Sequence, residues 1–193
     1  MITHISGKLV EKSPTNVVVD CNGIGYFIHI SLHTFSQLTS EEHVKLLTHF
    51  QVKEDAQQLY GFATSAEREI FRLLISVSGI GTNTARTMLS SLTPKQVREG
   101  IATEDVALIQ SVKGIGLKTA QRVIIDLKDK VLKIYDIDET VALSNNTNKD
   151  EALSALEVLG FAKKQSDRVV AKIIAQQPDA TVEIIIKEAL KNL

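Results

Sequence analysis

Tryptophan is absent from the 193-residue chain, and aromatic residues make up only 5% of it, so a surface that binds single strands by stacking bases on rings is not expected. Cysteine occurs once, as Cys21. A single thiol can form neither an internal disulfide nor a cysteine-ligated zinc or iron–sulfur site, so stability must come from packing. No apolar run approaches the roughly 20 residues that a bilayer-spanning helix needs. The opening Met1-Ile2-Thr3-His4-Ile5-Ser6-Gly7-Lys8 lacks the charged-then-apolar order of a secretion signal. A cytoplasmic protein with no membrane segment is the expectation. Neither sign of charge dominates, because 22 Lys plus Arg oppose 23 Asp plus Glu, and with 44% hydrophobic and 23% charged residues the chain is not disordered throughout.

The small net charge of -1 conceals a division along the chain. Residues 1–67 carry 4 basic and 7 acidic side chains, residues 68–130 carry 10 and 6, and residues 131–193 carry 8 and 10. Only the middle third suits a polyanion, and its excess is modest.

The same thirds differ in periodicity. In the first, short Val- and Ile-rich runs (Ile2 to Val10, Val17-Val18-Val19, Ile24 to Ile30, Val44 to Val52) are separated by turn residues, and Asn22-Gly23 has the chemistry of a tight hairpin. About five strands with one short helix near Leu32 to Leu38 imply a small barrel, the oligonucleotide-binding type being one candidate. From Thr64 the period becomes helical. Thr64 and Glu67 can form a capping box, and helices are predicted to Gly79, from Asn83 to Ser91, after Thr93-Pro94, after Thr103-Glu104-Asp105, and from Leu117 to about Leu132. The polar stretch ending in Ser144-Asn145-Asn146-Thr147-Asn148 reads as a flexible linker. Three short amphipathic helices follow, broken at Gly160 and Pro178. The expected class is therefore a multidomain α+β protein with a barrel over 1–63, a helical domain over 64–134, a linker over 135–148 and a three-helix module over 149–193.

An internal repeat points to function. Ser76-Val77-Ser78-Gly79-Ile80-Gly81-Thr82-Asn83-Thr84-Ala85 recurs 35 residues later as Ser111-Val112-Lys113-Gly114-Ile115-Gly116-Leu117-Lys118-Thr119-Ala120. In each copy a helix runs into Gly-Ile-Gly and a new helix begins at once. The first N–H groups of that new helix have no partner within it, and with the helix dipole they form an anion site suited to phosphate. Glycine between helices often serves only as a C-cap, but the matched Val, Gly, Ile, Gly, Thr and Ala of the duplication favour two phosphate sites at a fixed separation. A dinucleotide-binding fingerprint does not fit, since neither copy has a third glycine and a helix precedes each one rather than a strand.

The paired Val-x-Gly-Ile-Gly segments resemble helix-hairpin-helix DNA-binding motifs. Together with the Gly7-Lys8-Leu9 opening, Asn22-Gly23-Ile24-Gly25-Tyr26, the run from Thr48 through Lys53-Glu54-Asp55-Ala56 to Leu59-Tyr60-Gly61-Phe62, and Gly114 to Arg122, the whole chain resembles the RuvA family of bacterial Holliday-junction-binding subunits. The resemblance implies an oligonucleotide-binding barrel, a tandem helix-hairpin-helix domain and a C-terminal motor-binding domain. It also implies a homotetramer with no catalytic site and no cofactor, which holds four-way junction DNA open irrespective of sequence, recruits the hexameric RuvB ATPase for branch migration, and shares a complex with the RuvC resolvase. Residue by residue, the DNA-binding hairpins are Gly79, Ile80, Gly81, Thr82 and Asn83, and Gly114, Ile115 and Gly116, with Lys118, Thr119 and Arg122 following the second. The first hairpin departs from the pattern. Many members carry a lysine after Gly-x-Gly-Pro where this chain has Thr82-Asn83, so that site would depend on backbone amides. Glu54 and Asp55, by themselves a solvated turn, become by resemblance an acidic pin at the junction centre. The apolar faces marked by Leu153, Leu156, Leu159, Val169 and Ile173 become the motor-binding surface, although so small a bundle needs much of such a face for its own core.

Other functional classes make different demands. A glycosylase of the helix-hairpin-helix type needs a carboxylate beside the hairpin and a base-flipping pocket, and Asp126 and Asp129 alternate with Lys128 and Lys130 as on a solvated face. A metal centre would have to use His29 and His33, which straddle a strand end, since His4, His43 and His49 lack ligand spacing. A scaffold without DNA would rely on the C-terminal helices alone.

Overall fold

Alternating apolar residues in the first third close a sheet upon itself. In the computed structural model, which describes residues 1–39, 42–140, 147–177 and 180–193 except for the side chains of 132–140, 147 and 150, the strands are β1 (His4–Lys12), β2 (Asn16–Cys21), β3 (Ile24–Ile30), β4 (His43–Val52) and β5 (Gln57–Phe62). They form a closed barrel in the order β1-β2-β3-β5-β4. The β3–β5 pairing is parallel, the other pairings are antiparallel, and β1 against β4 completes the closure. A single short helix, α1 (Leu32–Gln37), connects β3 to β4, giving the oligonucleotide-binding arrangement. The period-2 pairs Val17/Val19, Ile28/Ile30 and Val44/Leu46 point inward with Ile5 and Leu59. The β2–β3 turn uses Asn22 and Gly23, both at positive φ as a tight hairpin requires.

The helical segment comprises α2 (Ser65–Ile75), α3 (Thr82–Ser91), α4 (Pro94–Ala102), α5 (Val106–Gln110) and α6 (Leu117–Thr140). Thr93 and Gln96 form a reciprocal capping box at α4, and Asp105 caps α5. Barrel and helices together form one compact unit, Met1–Leu132. Helix α6 runs past the Leu132 at which its apolar period ends and into the stretch expected as linker. No glycine or proline between 117 and 140 stops it. Residues 141–146 of the expected linker, and the helix break at Pro178, lie outside the described residues. In the second unit, Lys133–Leu193, the helices α7 (Thr147–Val158), α8 (Lys163–Gln176) and α9 (Val182–Asn192) pack around Ala152, Leu156, Val170, Ile173, Ala180, Ile185 and Ala189.

The capping box expected at Thr64 is half formed. Thr64 accepts from the Glu67 N–H at 3.2 Å, but the Glu67 side chain is fully buried (0% exposed) and turns to the barrel, where Ser31 Oγ and, at 2.6 Å, Thr34 Oγ1 donate to it. Ser31 is also the N-cap of α1, and Thr34 Oγ1 accepts from the Ala63 N–H at 3.2 Å. The carboxyl therefore joins α1, the end of β5 and α2. Beside it Tyr60, Phe62 and Phe71 pack with ring centroids 4.9–5.2 Å apart. Arg68, Arg72 and Arg86 reach from the helices to the barrel carbonyls of Thr3, Thr48 and Thr15.

Removing a buried group that holds two hydroxyls leaves unsatisfied partners. Glu67→Ala should therefore lower the unfolding free energy of the first unit by about 3 kcal/mol, whereas Glu67→Gln, which keeps one acceptor oxygen, should lose less, as urea denaturation will measure.

The seam also holds two imidazoles, His29 and His49, whose ring centroids lie 5.4 Å from Tyr60 and 5.5 Å from Phe71 respectively. Burial, and secondarily Arg86 and Arg72, push their pKa values below the ordinary value of 6.5. The folded state then binds fewer protons than the unfolded chain, so this contribution to stability is complete at neutral pH and is lost as pH falls through 6.5 toward the lowered values. Replacing both with Gln should flatten the fall in urea midpoint between about pH 7.5 and 5.5.

Candidate nucleic-acid interface

The two Gly-Ile-Gly segments fold alike bond for bond. Gly79 and Gly114 take φ values of 96° and 91°, in the left-handed region that only glycine enters freely. The turns close through Ile80 N–H to Val77 O at 3.0 Å and Ile115 N–H to Val112 O at 3.1 Å. Ser76 and Ser111 hydroxyls each donate back to the preceding helix at 2.7 Å. The following helices begin with Ala85 N–H to Gly81 O and Ala120 N–H to Gly116 O, both at 2.9 Å. Three residues lie between each second glycine and that first helical bond, their N–H groups without a partner inside the helix, and Gly81, the N-cap of α3, has no side chain to cap them.

The second glycine of each copy differs from the first in its dihedrals. Neither Gly81 nor Gly116 has a positive φ, and a Cβ built on either would meet no protein atom within 4 Å. Neither dihedral strain nor internal packing excludes a larger residue there. What the missing Cβ leaves open is the approach of an outside group to the amides.

The structure separates the expected contact residues into two sets. Gly79, Gly81, Asn83, Gly114, Gly116, Lys118 and Arg122 are exposed and Thr119 is half-buried. Ile80, Ile115 and the Thr82 side chain are buried, so these members of the hairpins have only backbone to offer a ligand: each isoleucine anchors its hairpin in the core with the paired Val77 or Val112. The Thr82 hydroxyl lies among Tyr60 and Gln51, so only its backbone amide remains for a ligand.

Charge is also placed differently from the sequence reading. Arg122, expected to serve the second hairpin, donates from Nη1 to the Ser78 carbonyl at 3.3 Å and brings its cation beside the first. A cation thus lies beside the hairpin whose own Thr82-Asn83 carries none. Lys113, in the turn before Gly114 and overlooked among the sequence candidates, is exposed, and among the described residues neither it nor Lys118 has a carboxyl partner. Its place in the repeat, opposite Ser78, was the available signal. The three arginines of the barrel seam, by contrast, contribute structure rather than a binding face.

Glu54 and Asp55 sit at the exposed tip between β4 and β5, where Lys53 N–H to Ala56 O at 2.8 Å closes the turn, and neither has a partner among the described residues. Asp126 and Asp129 are exposed on α6. His29 and His33 stand on β3 and α1 and pair with Arg86 and Gln37, not with each other. In the second unit the expected motor-binding face is corrected in part. Leu156 and Ile173 are core residues, Leu153 and Val169 pack against that core, and only Leu159 is exposed. The three-helix unit has too few residues to leave those faces uncovered. Its exposed apolar side chains are instead Val158 and Leu159 at the end of α7, with Ile184 and Leu190 on α9.

Comparison with known proteins follows this division. Residues 1–61 match the model of the RuvA N terminal domain, residues 71–129 that of the SAM-like helix-hairpin-helix tandem, and residues 147–193 that of the RuvA C-terminal domain. The chain is 66% identical over 193 residues to the Holliday junction branch migration complex subunit RuvA of Flavobacterium psychrophilum and 65% identical to that of Christiangramia forsetii, with all of both chains covered in each case. It is 49% identical to the subunit of that name from Bacteroides thetaiotaomicron, again over the whole of both chains.

Proposed function

Because this chain belongs to the RuvA family, we propose that it binds four-way junction DNA through its two hairpins, acts as a homotetramer, and serves as a non-catalytic subunit that recruits the RuvB ATPase for branch migration, with RuvC acting on the same junction. The observation that carries this reading is the open space over Gly81 and Gly116, which nothing inside the protein requires. A phosphate oxygen seated there accepts from the unpaired helix N–H groups, and the dipole of α3 or α6 favours its charge. Lys118 and Lys113 at the second hairpin, and Arg122 at the first, add attraction that depends on salt and not on base identity. Contacts limited to the backbone fit a ligand defined by shape.

The acidic turn acts in the opposite sense. Carboxylates near phosphates cost affinity, so a pin of Glu54 and Asp55 favours strands that diverge over a closed duplex. Val10, Ile24, Phe27 and Val52 are exposed on the barrel, apolar surface that association of copies would cover. On the second unit, Val158 (89% exposed) and Leu159 are the side chains through which we place the motor ATPase.

Gly114→Val would strain a positive φ and confuse folding with binding. Gly81→Ala and Gly116→Ala separate the two: each should cost about 1 kcal/mol of stability or less while lowering junction affinity by about tenfold or more through the loss of charge-assisted hydrogen bonds. Fluorescence anisotropy on a labelled junction reads the affinity, and a folded Gly116→Ala protein that binds like wild type would overturn the phosphate role. For the motor, Val158→Ser with Leu159→Ser should leave junction affinity intact and remove stimulation of branch migration by the ATPase, whereas Leu156→Ser should unfold the second unit, a difference that circular dichroism will report.

A further inference from the structure

The first hairpin and the acidic turn are tied to one another through a single buried hydroxyl. Thr82, the first residue of α3, is 7% exposed, and its Oγ1 accepts from Tyr60 Oη at 2.9 Å and donates to Gln51 Oε1 at 3.2 Å. Tyr60 Oη also lies 3.0 Å from Gln58 Oε1. Gln51 and Gln58 are directly opposed across β4 and β5. Only Val52 and Gln57 separate that pair from Lys53-Glu54-Asp55-Ala56, so the two glutamines form the base of the hairpin whose tip is acidic. On the other side, Thr82 directly follows Gly81, and its N–H belongs to the first candidate phosphate site.

The second copy has no such link. Its matching residue, Leu117, is half exposed and has no hydroxyl. The two hairpins, equal in backbone, therefore differ in what holds them. The first is pinned to the base of the acidic turn, and among the described residues no hydrogen bond ties the second to the barrel.

We propose that Thr82 is a positioning residue which sets the first hairpin and the Glu54–Asp55 turn at one distance from each other, and that this distance gives the protein its preference for a four-way junction over linear duplex. The proposal rests on the junction-binding reading given above. A duplex held at the first hairpin meets the carboxylates only if the turn is kept at a defined height, and a buried hydrogen-bonded network holds side chains and strands in one arrangement better than exposed contacts do. Without the hydroxyl, the turn can move away from the phosphates and the penalty on closed duplex falls. The side chain itself touches no DNA in this account.

The experiment is a double-mutant cycle in the full-length chain. Thr82→Val, Thr82→Ser and the pair Glu54→Gln with Asp55→Asn are compared singly and combined, with anisotropy measured at low salt on a labelled four-way junction and on a linear duplex of the same length. Thr82→Val should lower the junction-to-duplex affinity ratio by about tenfold, the scale of one buried hydrogen bond. Thr82→Ser, which keeps the oxygen, should restore it. In the Glu54→Gln, Asp55→Asn background Thr82→Val should change the ratio no further, because the charges it positions are gone. A ratio unchanged by Thr82→Val, an equal loss in Thr82→Ser, or a full additional loss in the neutralised background would each overturn the coupling while leaving junction binding established. A wild-type chain with no preference for the junction would overturn the junction reading itself, and this proposal with it.

Discussion

Each hairpin is organised by the burial of two apolar side chains on either side of a glycine in the left-handed conformation. Val77 with Ile80, and Val112 with Ile115, must both enter the same core across a turn of two residues. Only a residue free to take positive φ allows the chain to reverse that tightly. Once the isoleucine is anchored, the second glycine and the first amides of the next helix have no choice but to face outward. The candidate anion site is thus a by-product of hydrophobic burial, built from backbone atoms, and repeating the burial pattern repeats it.

The second constraint is the polar seam that joins barrel and helices. Glu67 is held by Ser31 and Thr34, three arginines donate to barrel carbonyls, and Thr82 of α3 bonds to Tyr60 and Gln51 of the β4–β5 hairpin. Such groups are costly to bury unpaired, and of the seam side chains named here only Arg68 leaves a buried nitrogen, Nε, without a partner. Their pairing holds one arrangement of the two halves of the first unit, where an apolar interface of similar size would tolerate sliding. It also redirects charge: arginines that appear in the sequence as part of a basic middle third are committed to structure, and the cations left at the hairpins are Lys113, Lys118 and Arg122.

Much of this was legible in the residues. Strand and helix periods, the Asn22-Gly23 turn, the Thr93-Pro94 start of α4 and the repeat itself depend on local chemistry, and local chemistry is written along the chain. Less legible were the roles of Glu67 and Thr82. A glutamate three residues after a threonine at a helix start reads as a capping box, and Thr82-Asn83 where many members carry a proline and a lysine reads as a loss of binding charge. In each case the partner lies in the barrel, more than 20 residues away, on α1 for Glu67 and on β4 and β5 for Thr82. In the second unit, amphipathic spacing marked the apolar positions of α7 and α8 but could not tell those that pack from those that remain in water.

By itself, then, the sequence determined the barrel, the tandem hairpins, the C-terminal helices and the glycines that open the candidate phosphate sites, because periodicity, turn propensity and glycine dihedrals act between near neighbours. Only the tertiary structure decided that Arg122 of the second motif lies beside the first, that Ile80, Ile115, Leu156 and Ile173 belong to cores, and that Thr82 is hydrogen-bonded to the base of the hairpin that carries the acidic turn. Those outcomes depend on which surfaces meet after the elements form, and the pairing of distant polar groups leaves no period in the chain from which to read it.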